Sequence, residues 1–451
     1  MMRRNSMNMC EGPLLKKMIV YSIPIILTQI LQLLFNAADL VVVGRFCGSI
    51  SVAAIGSTGS LTTLMVNLFI GLAVGVGVVV AQNLGAENMK GVYRAVHTSI
   101  LLALVSGAFL TVFAFVFSNQ FLTMMGTPEN VLPLSTLYIR IYFCGMIPNL
   151  VYNFGASILR AAGDTRGPLV YLTIAGVANV LLNLFFVLVL HMNVAGVALA
   201  TTISQVISAV LVVIALVRRS DVCRLELKSM RFYFDSFQSI IRIGLPAGIQ
   251  SSLFAISNVI IQSSVNSFGQ IVMSGNASAG NIEGFTYTAM NALYQTTLNF
   301  VGQNAGAKKY DRVNRSLKIG LVLVAIIGPV LGIATRVFGR QLLGIYITDS
   351  PEAIEYGLIR MTYIAAFYFI CGMMDVSTGA LRGLGVSIVP MCITVLGSCG
   401  LRILWIYTVF AANRTLSCLY LSYPISWTVT LIAQLIAYRI VIKRMKKKNQ
   451  T

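Results

Sequence analysis

The sequence predicts an all-α integral membrane protein, with twelve transmembrane helices forming two six-helix lobes in a parallel (6+6) repeat. Three observations predict it. Of 451 residues, 57% are hydrophobic and only 10% are charged, against about 25% charged in a typical soluble domain. The apolar residues arrive in blocks long enough to span a bilayer as helix, with nothing between them the size of a soluble domain. Several short landmarks then recur at one nearly constant separation.

The blocks lie at 18–43, 51–80, 92–118, 134–158, 168–190, 194–217, 240–265, 282–301, 316–337, 358–381, 388–411 and 416–440. The first is apolar except for Gln29, Gln32, Asn36 and Asp39, whose steps of three, four and three stack them on one helical face. At ~1.5 Å per residue this block outreaches a hydrocarbon core of ~30 Å, so the stripe is expected to turn inward, away from lipid. Its basic start imitates a signal peptide. A run this long, interrupted by Pro24 and Asp39 and followed by further spans, reads instead as a mature helix. In the second block Gly71, Gly75 and Gly77 form a small-residue face suited to close helix packing.

The turns between blocks carry the repeat. Ile23-Pro24-Ile25 is echoed by Leu245-Pro246-Ala247 and Asn36 by Asn258; Gln82-Asn83-Leu84-Gly85-Ala86 returns as Gln303-Asn304-Ala305-Gly306-Ala307. Thr127-Pro128-Glu129 returns as Ser350-Pro351-Glu352, Leu159-Arg160-Ala161-Ala162-Gly163 as Leu381-Arg382-Gly383-Leu384-Gly385, and Pro168 matches Pro390. Six spans separate equivalent points, so the halves share one orientation, related by an axis along the membrane normal. In Leu-Arg-x-x-Gly the Arg is placed to complement a helix C-terminus and the Gly to form a left-handed cap. The organisation read from this is a cytoplasmic N-terminus at 1–17, an N-lobe at 18–217, a charged connector at 218–239, a C-lobe at 240–440 and a basic tail at 441–451.

The net charge of +19 reports topology and not nucleic acid. Most of the 33 basic residues fall at the N-terminus (Arg3, Arg4, Lys16, Lys17), in the connector, in the stretch from Lys308 to Lys318, and in the tail, all on one side of an alternating topology. The opposite loops are short or acidic, with Glu129 in one and Asp349, Glu352 and Glu355 in another. The positive-inside rule places both termini in the cytoplasm and implies an even number of spans. The tail lysines are expected to lie against anionic lipid.

Eight cysteines show no C-x-x-C spacing and read as small packing residues, not disulfides or a metal site. The only histidines are His97 and His191, no metal ligands cluster, and no G-x-x-x-x-G-K loop is present to cradle ATP. An enzyme, a primary pump and an organic cofactor are therefore not expected. The intramembrane acids are few. Asp39 has Ile261 as its repeat counterpart and Asp375 has Asn153, leaving one carboxylate per lobe at non-equivalent places. A carboxylate at membrane depth is a candidate carrier of a proton or other cation. Arg402 reads as the one base at apparent membrane depth, either neutralising Glu283 or Asp375 or snorkelling outward. Glu283 itself reads as a site acid or as a solvated helix-start residue.

At these residues the chain resembles the multidrug and toxic compound extrusion (MATE) family over nearly its whole length. The match lies in the two Gln-Asn-x-Gly-Ala loops, the Leu-Arg-Ala-Ala-Gly-Asp-Thr stretch at 159–165, the first helix with Pro24 and Asp39, and the order in which these occur. The resemblance implies two lobes around a central cavity. It adds Asn179, Asn183 and Thr201 as ligands around Asp39, with Asn183 standing where many members carry Asp, and it aligns Asp375 with the family's C-lobe acid. Oxygens of Asn and Thr suit a hard cation such as sodium. Some members carry a Glu in the seventh helix; here Gln250, Ser251, Ser252, Asn258 and Gln262 stand instead, so a copied C-lobe sodium site is not expected. Pro24 is either a hinge that couples Asp39 to bending, as the family suggests, or a static helix-start proline.

The function this implies is a secondary antiporter exporting cationic amphipathic compounds in exchange for H+ or Na+. The alternative is a lipid-linked oligosaccharide flippase of the related superfamily. Expected partners are small-molecule cations and membrane lipids, with no nucleic acid and a monomeric chain in the plasma (inner) membrane.

Overall fold

The computed structural model describes residues 7–347 and 350–448. Arg3, Arg4 and Asp349 of the charge pattern, and the outermost residues of both terminal segments, lie outside these. Every regular element among the described residues is helical: α1 Leu14–Phe46, α2 Ser49–Gly85, α3 Met89–Met124, α4 Leu132–Cys144, α5 Met146–Ala161, α6 Arg166–Leu184, α7 Asn193–Val217, α8 Phe234–Asn266, α9 Gln270–Gly306, α10 Tyr310–Val337, α11 Gly339–Tyr346, α12 Pro351–Tyr363, α13 Tyr368–Gly383, α14 Ile388–Thr394, α15 Leu401–Trp405 and α16 Leu416–Lys448. Backbone inside a bilayer must satisfy its own polar groups, and helices do so within one segment.

Ten of the described helical stretches are long and apolar enough to cross a membrane, and α4 with α5, bent by 45°, make an eleventh. The bend falls at Gly145, between the two helices, with Pro148 in the first turn that follows. The sequence reading gave twelve. The helix that does not meet the test is α9, 37 residues long, which carries Asn276, Ser278, Glu283, Thr286, Thr296 and Asn299 among its buried side chains. Its length suits a span, and its polarity is hidden against neighbouring helices.

The chain forms two compact units: Met1–Asn8 with Leu27–Gly248, and Met9–Ile26 with Ile249–Thr451. The chain changes unit inside α1 and inside α8, in each case just past a proline, Pro24 or Pro246. Pro24 lies well inside α1 rather than at its start.

In the first unit, α2 and the N-terminal part of α8 pack backbone to backbone. A Cβ on Gly71 would lie 2.2 Å from the Gly248 nitrogen, and one on Gly75 would lie 2.4 Å from the Ile240 oxygen. Apolar surface gains little by leaving lipid, so close contact of small residues supplies the attraction. The connector is tied to the same unit through α3: the Glu226 amide donates to His97 Nε2 at 3.1 Å and the Tyr233 amide to Thr98 Oγ1 at 3.1 Å. In the second unit, aromatic rings fill the space between α13 and α16, with Tyr368 and Tyr423 at 5.4 and 5.5 Å from Trp427.

The repeated turns share backbone conformation. Gly163 and Gly385 both take the left-handed cap, at φ 88° and 82°, and Glu87 and Lys308 are both left-handed at φ 55° and 58°. Arg382 stands in the last turn of α13, as its sequence position implies, and is also buried, donating to the Tyr294 hydroxyl at 2.7 Å and to Gln250 Oε1 at 2.9 Å, which links helices. All eight cysteines are free.

Candidate cation site

The first unit brings together four residues from three helices. Asn179 and Asn183 stand one turn apart on α6, which places both amides on the same face. Asn183 Nδ2 donates to Asp39 Oδ1 on α1 and to Asn179 Oδ1 at 3.4 Å, and Asn179 Nδ2 donates to Thr201 Oγ1 on α7 at 3.4 Å. Thr201 in turn donates to the Val197 carbonyl at 3.0 Å. The result is a chain of hydrogen bonds running from α7 through α6 to a single carboxylate. Both asparagines are buried, whereas Asp39 is half-buried.

α1 comes this close because α6 has a glycine opposite its bulk. A Cβ at Gly176 would sit 1.8 Å from Phe35 Cε2, so any larger residue would push α1 and Asp39 away from the amides. Tyr138 and Tyr142 on α4 lie near enough to feel the Asp39 charge. Their rings stack at 5.9 Å with an interplanar angle of 19°. Sequence reasoning did not single out this pair, although its i, i+4 spacing on one helix was there to be read. One carboxylate, amide and hydroxyl oxygens and aromatic faces together suit a proton, a small hard cation or an organic cation.

The rest of the stripe on α1 stays apart. Gln32 and Asn36 are exposed and Gln29 is half-buried, and no hydrogen bond links them to Asp39 among the described residues. Asp375, on α13 in the second unit, is half-buried and makes no hydrogen bond among the described residues.

Glu283 and Arg402 depart from expectation. Glu283 is neither solvated nor paired with Arg402. It is buried on α9 and takes Nε of Arg360 at 3.2 Å and Nη2 at 2.8 Å, while Arg360 Nη1 donates to Asn276 Oδ1 at 2.7 Å. Arg360 stands near the start of the tenth block, where sequence analysis did not single it out, although an arginine there was the signal for a buried partner. Arg402 does not snorkel: it is fully buried, and no ion pair among the described residues includes it. Among the described residues no three His, Cys, Asp or Glu side chains gather as a metal site.

Comparison with known proteins agrees with this architecture. The MatE family model matches residues 24–185 and again 246–408, the same spacing as the repeated landmarks. The chain is 26% identical over 442 residues to the probable multidrug resistance protein YoeA of Bacillus subtilis, covering 95% of this chain and 94% of that protein. It is 21% identical over 375 residues to the multidrug export protein MepA of Staphylococcus aureus, covering 83% of each. Among solved structures, an outward-facing multidrug resistance MATE family transporter of the MOP superfamily superposes with a TM-score of 0.91 at 20% identity, over 97% of this chain and 98% of that one. Matched by the family model over more than half its length and built of membrane-spanning helices, the chain belongs to the MatE family of multidrug efflux transporters.

Proposed function

We propose that this protein is a secondary antiporter that exports cationic amphipathic compounds in exchange for protons or sodium, with Asp39 as the coupling carboxylate. The observation that carries the reading is the Asp39–Asn183–Asn179–Thr201 hydrogen-bond chain beside the Tyr138–Tyr142 stack. A lone acid with neutral oxygens around it holds one cation at a time, so an incoming H+ or Na+ and an outgoing organic cation compete for one charge. Exchange is also electrically economical, because each charge moved outward against 100 mV costs ~2.3 kcal/mol, which an inward cation offsets.

Alternating access would carry the site from one face to the other, with the prolines of α1 and α8 as natural bending points. In this reading Asp375 is a second carrier acid of the other unit, and no organic cofactor is needed. The positive-inside pattern supports cytoplasmic termini in the plasma membrane. The names of YoeA and MepA, multidrug resistance and export proteins, support small-molecule efflux.

The test is transport of a fluorescent organic cation in proteoliposomes under a pH gradient alone and a sodium gradient alone. Transport driven by one of them is expected and names the coupling ion. Transport indifferent to both would refute antiport.

A further inference from the structure

Arg402 is a charged group in an apolar place, with no countercharge paired to it among the described residues. Its guanidinium carbon lies 4.3 Å from the ring centre of Tyr423, 5.2 Å from Phe254 and 5.5 Å from Trp427. Nε donates to Ser426 Oγ at 2.9 Å, and Nη1 reaches Asn258 Oδ1 only at 3.5 Å, the outer limit of a hydrogen bond. Nη2 has no acceptor among the described residues, and neither has the indole Nε1 of Trp427 in the same cage. Both side chains are almost completely buried. A guanidinium has five N–H donors and does not lose its charge. Aromatic faces and two neutral acceptors leave that charge unbalanced, and a buried charge calls for an opposite one. Glu283 is already engaged by Arg360.

Two further observations point the same way. Arg402 sits on the five-residue α15, between two π-helical stretches, Val395–Gly400 and Ile406–Phe410. Widened turns of this kind collect at functional sites, because they cost helix stability. The repeat also gives the place a meaning. By the spacing that pairs Pro168 with Pro390, the Asn179 and Asn183 of the first unit correspond to Leu401 and Trp405, and Arg402 corresponds to Val180. The charge at Arg402 is therefore particular to the second unit, its counterpart in the first being the apolar Val180.

We propose that Arg402, within the cage of Phe254, Tyr423 and Trp427, is a binding site for an oxyanion, the carboxylate or phosphate group of a small compound. Guanidinium binds such groups with two parallel hydrogen bonds, and the rings accept whatever apolar part is attached. The site lies wholly in the second unit and stands independently of the role assigned to Asp39. It extends the ligand class from cations to zwitterions and anions.

The chain has two tryptophans, so Trp405→Phe leaves Trp427 as its sole indole fluorophore. The full-length protein in detergent is titrated with sodium hexanoate, acetate, inorganic phosphate and neutral hexanol at constant ionic strength. A saturable change in Trp427 emission with hexanoate and not hexanol is expected. If acetate and phosphate also saturate, the site takes free oxyanions; if only hexanoate does, it takes the head of an amphiphile, and either result supports the proposal. Arg402→Lys, which keeps the charge and loses the two-pronged geometry, is expected to bind roughly tenfold more weakly. No saturable change with any oxyanion while Arg402 is in place, an equal response to hexanol, or undiminished binding by Arg402→Lys would overturn the proposal.

Discussion

Asn183 of α6 donates a side-chain hydrogen bond to the carboxylate of Asp39 on α1, so the acid of the first unit is held by an amide from the fifth helix after its own. Removing that donor leaves the carboxylate without its nearest partner. Asn183→Leu is expected to lower cation-driven transport about tenfold or more, the scale of a lost hydrogen bond to a charged group, with the protein still present in the membrane. Initial rates in proteoliposomes, normalised to reconstituted protein, check this.

Gly176 and Phe35 fix the approach of α1 to α6. Gly176→Ala puts a methyl group where the Phe35 ring lies, and overpacking of this kind costs about 1–3 kcal/mol. The variant is expected to melt earlier and transport less. Phe35→Ala in the same chain is expected to restore part of the loss, a positive coupling in a double-mutant cycle read from thermal unfolding in detergent. Additive losses would show that the two residues do not meet.

The Glu283–Arg360 pair is expected to serve structure and not coupling. Both partners are largely buried, at 3% and 14% side-chain exposure, and removing one leaves the other uncompensated, at a cost of about 3–5 kcal/mol. Glu283→Gln is expected to lower the melting temperature markedly, while transport per folded molecule keeps its dependence on the driving ion. Loss of ion dependence with unchanged stability would move Glu283 into the transport machinery.

The connector makes a prediction about pH. Burial, aided by the Asp221 charge and opposed by Arg219, pushes the Cys223 thiol up to about 12. Alkylation needs the thiolate, so at pH 7–9 native Cys223 stays protonated and covered. Maleimide is expected to spare Cys223 in the native protein and to label it after denaturation, as read by peptide mass spectrometry. Rapid native labelling would mean that the connector does not fold onto the first unit as described.

Much of this was legible in the chain. The all-helical membrane fold followed from apolar block length and sparse charge, and the repeat from turn landmarks whose left-handed residues recur in the structure. Asp39, Asn179, Asn183 and Thr201 were named from sequence and resemblance, and they do meet. What the chain hid were matters of rotation and pairing. Two arginines at membrane depth and one buried glutamate allow more than one pairing, and only packing decides that Arg360 takes Glu283 while Arg402 is left to aromatic rings. The stripe on α1 misled because helical spacing tells which residues share a face, not how far along that face a neighbouring helix covers it. The block at 282–301 was counted as a span despite its polarity, and in α9 those polar side chains are buried.

The central claim is that Asp39 couples cation movement to export. The direct test is gradient-driven transport of a fluorescent cation by Asp39→Asn in proteoliposomes, beside the unmodified protein at equal reconstitution. Asparagine keeps the shape and the hydrogen-bonding partners of the carboxylate and removes its charge. The account predicts that transport no longer responds to the pH or sodium gradient while the variant stays folded and inserted. Gradient-driven transport at the unmodified rate would contradict it.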